Sequence, residues 1–276
     1  MLPPERYGTL LAYFTGSKEH NVRLRELALK QGLSLSEHSF TPVEGGAEIL
    51  CATEEEVYAT LGLPWIPPEL REDRGEIEAA LAGALPDLIT LDDIQGDLQC
   101  HTTWSDGKAN VLEMASAALE RGYHYLLITD HSRGLGVVQG MSPEDARRQR
   151  AEIEAANAEL AGELTILQGI ELEIKADGSL DYTDDELAQF DIVLASLHTS
   201  LRQPREEITQ RLLNAIRNPY VAIIGHPRGR LLPDREAADL DMDAVFEAAA
   251  EHEVALEINA NPHRLDLDDV HARRAV

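Results

Sequence analysis

From Gly96 onward, short apolar runs alternate with longer stretches in which apolar residues recur every three or four positions. The runs 96–101 (GDLQCH), 125–129 (YLLIT), 164–170 (LTILQGI), 191–196 (DIVLAS), 221–225 (VAIIG) and 254–258 (VALEI) predict strands. The stretches 110–121, 143–160, 205–217 and 241–251 predict helices between them, and 265–276 reads as a helix with no strand after it. Apolar strands separated by helices imply a parallel sheet buried on both faces. Six strands are compatible with either an open doubly wound sheet or a barrel.

The first 66 residues carry a different pattern, that of a small α/β unit. YGTLLAYFTG (7–16) mixes apolar and aromatic residues and reads as a strand that turns at Gly16-Ser17. The stretch 18–32 sets Val22, Leu24, Leu27 and Leu29 at helical spacing and stops on Gly32. LSLSEHSF (33–40) alternates as a half-buried strand does, and 53–62 is a short helix with an acidic start. Residues 67–94, with Pro67, Pro68, Pro86 and dense charge, read as a linker holding one helix at 75–83. The expected domains are therefore 1–66 and 95–276.

Charge narrows the classes of partner. The 276 residues hold 24 Lys plus Arg against 50 Asp plus Glu, a formal charge of −26, which disfavours a uniformly basic nucleic-acid surface. Contact with DNA then requires a local patch or metal ions. Hydrophobic residues make up 43 %, enough for a sizeable core, but no stretch approaches the ~20 apolar residues of a membrane span. A cytoplasmic protein without a membrane partner is expected. Cys51 and Cys100 are too few for a disulfide framework and lack zinc-finger spacing.

The chemistry lies at the end of each predicted strand. His101 and Asp106 come after the first, Asp130-His131 after the second, Glu171 after the third, His198 after the fourth, His226 after the fifth, and Asn259 and Asn261 after the sixth. The C-terminal ends of parallel strands meet on one face, where α/β folds place their sites. At least four imidazoles with two or three carboxylates exceed the needs of one tetrahedral zinc, so two or three ions about 4 Å apart are expected, suited to phosphoester hydrolysis. Serine-hydrolase elbows, Walker loops and Rossmann glycines are missing from the sequence. Of the remaining histidines, His20, His38, His124, His252, His263 and His271 are read as structural, and Asp177, Asp181, Asp184 and Asp185 as a solvated acidic loop. Arg228 and Arg230 follow His226 closely enough to grip a phosphate, a surface role being equally compatible.

The segments GDLQCHTTWSDG, LLITDHS, GIELEI, ASLHTS and IIGHPRGR together resemble the polymerase and histidinol phosphatase (PHP) superfamily over about residues 95–276. YFTGSKEHNVRLRELALKQG (13–32) and EEEVYATLGLPWIPPEL (54–70) are similar to the end of the palm and the thumb of family X DNA polymerases. The resemblance implies an α/β fold: an incomplete, distorted (βα)7 PHP barrel preceded by a small α/β thumb unit. It implies metal ligands at His101, Asp106, His131, Glu171, His198 and His226, holding Mn²⁺ or Zn²⁺, with Gln99 where the family carries its first histidine. Glu171 is expected as a bridging carboxylate and His131 and His198 as primary ligands, with Arg228 as a phosphate clamp.

In the thumb, the resemblance assigns Tyr13, Phe14 and Gly16 to a nucleotide sugar, Asn21 to the nascent base pair and Arg25 to the DNA template. The palm carboxylates that bind the polymerase's Mg²⁺ are expected before residue 1, and the last PHP ligands after residue 276. The expected function is that of part of a family X DNA polymerase in repair synthesis, with deoxynucleotides as weak partners, whose PHP domain is a metal-dependent 3′–5′ exonuclease. An inactive PHP scaffold and a histidinol-phosphatase-like phosphomonoesterase are the alternatives.

Overall fold

A computed structural model describes residues 3–134 and 139–276, so the first two residues of the N-terminal unit lie outside it. The chain divides into two compact units, Met1–Ile89 and Thr90–Val276. Among the described residues, no helix is long and apolar enough to cross a membrane.

The N-terminal unit opens on a helix, α1 (Tyr7–Phe14), where the sequence suggests a strand. Tyr, Thr and Phe favour strands, but burial falls on Gly8, Thr9 and Ala12, a helical spacing. A Cβ on Gly8 would lie 2.2 Å from the Thr53 carbonyl oxygen, so glycine lets α1 pack against the start of the third helix. α2 (Lys18–Lys30) is capped by the Ser17 side chain, which accepts from the His20 N–H. The alternating segment 33–40 is not one strand. It turns back on itself as an antiparallel hairpin of β1 (Leu33–Leu35) and β2 (Phe40–Pro42).

α3 (Glu54–Thr60) and α4 (Glu76–Leu81) complete the unit. Ile77 and Ala80 of α4 join Leu24, Phe40, Tyr58 and Ile66 in its core. The first half of the expected linker is thus core rather than connector. Prolines fix its path, while Arg71, with no exposure, ties it to Glu54 and to the Ile66 carbonyl.

The C-terminal unit runs β3 (Gly96–Cys100), α5 (Val111–Glu120), β4 (Tyr125–Ile128), α6 (Pro143–Leu160), β5 (Thr165–Glu173) and α7 (Asp184–Leu187). It continues with β6 (Ile192–Ser196), α8 (Arg205–Ile216), β7 (Val221–Gly225), α9 (Met242–Glu251), β8 (Ala255–Leu256) and α10 (Asp269–Ala275). The six strands lie in one parallel sheet in chain order. A doubly wound sheet would reverse that order at a switch point, so monotonic winding decides for the barrel alternative. β3 and β8 are the free edges of this incomplete barrel.

β5 shows how the sheet sorts its residues. Ile170, Leu172 and Ile174 point into the core formed with Val193, Ala195, Ile208 and Leu212. Glu171 and Glu173, one position out of phase, point to the opposite face. The His131–Glu171 bridge extends the ladder beyond β4 and sets those two residues side by side.

Candidate metal centre

Glu171 is the hub of the strand-end residues. Its side chain is 1 % exposed, and four imidazoles surround it. Oε2 lies 3.4 Å from His101 Nε2 and 3.2 Å from His131 Nδ1, and Oε1 lies 3.2 Å from His198 Nε2 and 3.1 Å from His226 Nε2. Asp106, on the loop after β3, reaches to 3.8 Å from the second nitrogen of His131, so His131 stands between two carboxylates. The rings of His101 and His131 stack at 4.4 Å between centroids, and the His131–His198 and His198–His226 pairs meet edge-on at 5.3 and 5.1 Å. The structure therefore brings together all six expected ligand residues.

Despite these distances, neither Glu171 oxygen has a hydrogen-bond partner, and neither have His101 Nδ1, His131 Nδ1, His226 Nδ1 or the Gln99 side-chain oxygen. Buried polar atoms are ordinarily satisfied, since leaving one unpaired costs about 1–3 kcal/mol. Donors 2.0–2.1 Å from a common ion sit roughly 3–3.4 Å from one another, the spacing found around Glu171. Two triads, His101–Asp106–His131 and His131–Glu171–His198, each keep their ligand atoms within 4.8 Å and share His131. The donor set fits divalent metal at more than one position.

The electrostatics agree. Burial opposes ionisation of Glu171, yet His198 and His226 hold its carboxyl well below the usual range. Burial likewise opposes charging His198, but Glu171 and Glu173 outweigh it and raise its imidazole to about 9. The centre thus favours a positive charge between these carboxylates. His131 differs: burial, with His101 and His198 beside it, takes it down to about 4 against the pull of Glu171. A neutral imidazole has the lone pair that a metal ligand needs.

Residues beyond the sequence reading orient these ligands. Glu173 Oε2 accepts from His198 Nδ1 at 2.8 Å and Glu173 Oε1 from the Thr199 hydroxyl at 2.6 Å, which turns His198 Nε2 toward Glu171. Buried Arg211 reaches Glu173 at 3.4 Å and donates to the Ile174 and Thr199 carbonyls. The signal was present in GIELEI, where Glu171 and Glu173 stand two apart and share a strand face. Asp130, a strand-end candidate in the sequence, instead organises the loop after β3, accepting from the Thr102 N–H and from the side chains of Thr102, Ser105 and Gln149. Fully engaged, it has no lone pair to spare for a metal.

At the sixth strand the ligand candidates Asn259 and Asn261 serve loop hydrogen bonds instead. Glu257 is the residue near the cluster, its Oε2 accepting the His226 N–H. Burial, opposed by that N–H and reinforced by Glu171, pushes the Glu257 carboxyl up to about 7. Arg228 is held by Asp268 at 3.2 Å while its Nε is buried without a partner. Asp181, expected on a solvated face, is buried and accepts the Gly134 N–H at 2.6 Å.

In the N-terminal unit Tyr13, Asn21 and Arg25 line one small cavity with Leu24 and Leu35, Arg25 lying 4.8 Å above the Tyr13 ring. Asn21 donates to the Ser17 carbonyl, and Phe14 projects at 74 % exposure. Gly16 adopts φ +85° with Arg71 where a Cβ would lie, so the turn requires glycine. His20 is fully buried between Glu76 at 2.5 Å and the Tyr58 hydroxyl at 2.9 Å.

Comparison with known proteins places this geometry. The "DNA polymerase beta thumb" model matches residues 10–72 and the "PHP domain" model residues 97–261. The DNA polymerase/3′-5′ exonuclease PolX of Bacillus subtilis is 45 % identical over the whole chain, which spans 48 % of that protein. A "Probable phosphatase" of Caldanaerobacter subterraneus is 34 % identical over 59 % of the chain and 61 % of its own length. A Listeria monocytogenes structure described as a candidate histidinol phosphatase shares the fold, with TM-score 0.50 and 12 % identity over 65 % of this chain and 90 % of that one. The chain belongs to the PHP domain family, with a polymerase beta thumb ahead of its PHP domain.

Proposed function

We propose that this chain is the thumb and PHP portion of a family X DNA polymerase acting in repair in the cytoplasm, and that its PHP centre hydrolyses phosphodiester bonds as a 3′–5′ exonuclease. The observation that carries the hydrolytic reading is Glu171, buried among four imidazole nitrogens at 3.1–3.4 Å with both oxygens lacking a hydrogen bond. Two or three Mn²⁺ or Zn²⁺ ions at these ligands would supply Lewis acidity and a water acidified toward neutral pH. The chain's own part would be to hold the ligand atoms, with Glu171 as the shared carboxylate, His131 and His198 as primary ligands, and Asp106, His101 and His226 completing the set. Glu173 fixes the His198 ring, leaving its Nε2 turned to the centre. Arg228, whose Nε has no partner, is assigned to a phosphate oxygen.

In the thumb, Tyr13, Phe14, Gly16 and Asn21 are assigned to a deoxynucleotide and Arg25 to DNA. Template-directed synthesis, with its Mg²⁺, is assigned to the longer polymerase and not to this segment. The resemblance to phosphatases over the PHP domain favours a phosphomonoesterase as the second reading.

One experiment separates them. Release of mononucleotides from 3′-labelled DNA with Mn²⁺, and of phosphate from p-nitrophenyl phosphate, is measured for the wild type and Glu171→Gln. Nucleotide release that disappears in the variant supports the exonuclease. Hydrolysis confined to the monoester transfers the site to the phosphatase reading, and equal activity in both proteins, or in neither, leaves the PHP unit a scaffold.

A further inference from the structure

In a protein of charge −26, four half-buried arginines gather on the two loops that follow β7 and β8. Arg228, Arg230 and Arg235 lie on the first loop, which begins at His226, and Arg264 on the second. Interlocking bonds hold the loops together. Arg230 Nε donates to the Arg264 carbonyl at 2.9 Å and Arg235 Nε to the Gly229 carbonyl at 2.8 Å, while the buried Asp266 carboxylate takes the Arg228 and Arg230 N–H groups. Carboxylate pairing is uneven. Asp268 lies 3.2 Å from Arg228 and 3.7 Å from Arg230, whereas among the described residues Arg235 and Arg264 have no carboxylate within 4.0 Å.

Crowding like charges without an anion is unfavourable. Arg235 Nε bonds the Gly229 carbonyl and Arg264 Nη1 the Arg230 carbonyl next to it, at 3.4 Å, so the two guanidiniums hang from adjacent peptide units, and burial with the Arg264 charge lowers the pKa of Arg235. Both loops leave the C-terminal ends of β7 and β8, and the first opens at His226, so they stand at the end of the sheet that carries the metal centre. A preorganised pair of guanidiniums lacking counter-charges beside a phosphoester site matches a phosphate group, which guanidinium forks bind bidentately. A phosphate under hydrolysis already has the metal ligands and Arg228, so a second phosphate is implied.

We propose that Arg235 and Arg264 form a second phosphate subsite at the rim of the metal centre, which holds the phosphate adjoining the scissile one in a single-stranded nucleic-acid chain. The assignment rests on the phosphodiesterase reading and deepens it. A monoester has no such second phosphate, so the subsite selects a polynucleotide.

The test is binding of a fluorescein-labelled thymidine hexanucleotide to the full chain by anisotropy, titrated with KCl in the presence of EDTA. Arg235→Gln/Arg264→Gln is expected to weaken binding at least ten-fold at low salt. It should also flatten the slope of log affinity against log salt by about 0.7 for each phosphate that is no longer neutralised. Asp234→Asn/Glu236→Gln, which removes two exposed carboxylates from the same loop and none of its hydrogen bonds, is expected to tighten binding two- to three-fold. The charge-matched control Arg121→Gln/Arg217→Gln, at the exposed ends of α5 and α8, leaves both unchanged. Unaltered affinity and slope in the arginine variant, or no tightening in the carboxylate variant, overturns the proposal. Displacement of the hexanucleotide by inorganic phosphate at equal concentration marks a single-phosphate pocket and overturns it too. Binding in chelator does not depend on hydrolysis, so loss of the exonuclease reading is scored separately, by nucleotide release.

Discussion

Both units bury histidine and glutamate, and the carboxylates at their centres are treated in opposite ways. In the N-terminal unit Glu54 takes both Arg71 amino groups, and Glu76 accepts from His20 and from the Asp73 and Arg74 N–H groups. In the PHP unit Glu171 is more buried than either, yet its oxygens have no hydrogen bond. Satisfied burial is the mark of a group that holds a fold together, and unsatisfied burial of one kept for a ligand. Residue type alone would have grouped His20 with His131.

The contrast breaks most visibly at Arg71. Removing one partner of a buried ion pair strands the other charge and costs roughly 3–5 kcal/mol. Arg71→Ala therefore leaves Glu54 uncompensated and exposes residues 71–81 to hydrogen exchange. Protection in 165–173 stays as it was. Exchange measured by mass spectrometry decides, and an intact 71–81 segment would mean that the pair is dispensable.

Metal supplies the mirror image. Mn²⁺ at about a thousand times its dissociation constant stabilises the state that binds it by about 4 kcal/mol. Protection is expected to rise in 165–173, which carries Glu171, and to stay constant in 71–81. EDTA or Glu171→Gln removes the gain. A gain in both segments, or one that persists in Glu171→Gln, places the ions elsewhere.

The contrast also explains how far the sequence could disclose the site. The clustering of the six expected ligand residues was legible because each stands at or after the end of an apolar strand, where parallel topology brings distant residues together. The barrel was legible only through the resemblance to PHP domains, since strand count leaves winding open until the order β3 to β8 is seen. Tyr7–Phe14 hid its helix behind residues of high strand propensity, and tertiary packing at Gly8 and Ala12 overrode them. Prolines and charges between 67 and 81 looked like a linker because charges read as exposed unless their partners, 17 residues away for Arg71 and 56 for Glu76, are known. Glu173 was hidden by its neighbour: its role depends on a ring 25 residues on.

Glu173 tests whether satisfied groups also serve the metal indirectly. Outer partners of ligating histidines typically contribute 10–100-fold to metal affinity. Glu173→Gln keeps the shape while weakening the bond to His198 Nδ1, so Mn²⁺ affinity by chelator competition is expected to fall within that range. The His198 ring nitrogens should shift in ¹⁵N spectra of the metal-free protein. A purely structural Glu173 would lower thermal stability and leave both readouts alone.

The smallest effect concerns pH. Burial works against ionising Glu76, but His20 and the Asp73 and Arg74 N–H groups outweigh it and hold its carboxyl below the ordinary glutamate value. A carboxyl depressed in the folded state stabilises that state above its unfolded pKa, and the contribution fades as pH falls through the folded value. The N-terminal unit should therefore lose stability below the usual glutamate range, by less than Arg71→Ala costs, because Glu54, Tyr58 and the apolar core still hold the segment. Glu76→Gln should flatten that part of the curve. The readout is hydrogen exchange of residues 71–81 between pH 6 and pH 3, corrected for the intrinsic exchange rate. A wild type and variant that decline in parallel would show that the His20–Glu76 contact adds nothing to the unit's acid sensitivity.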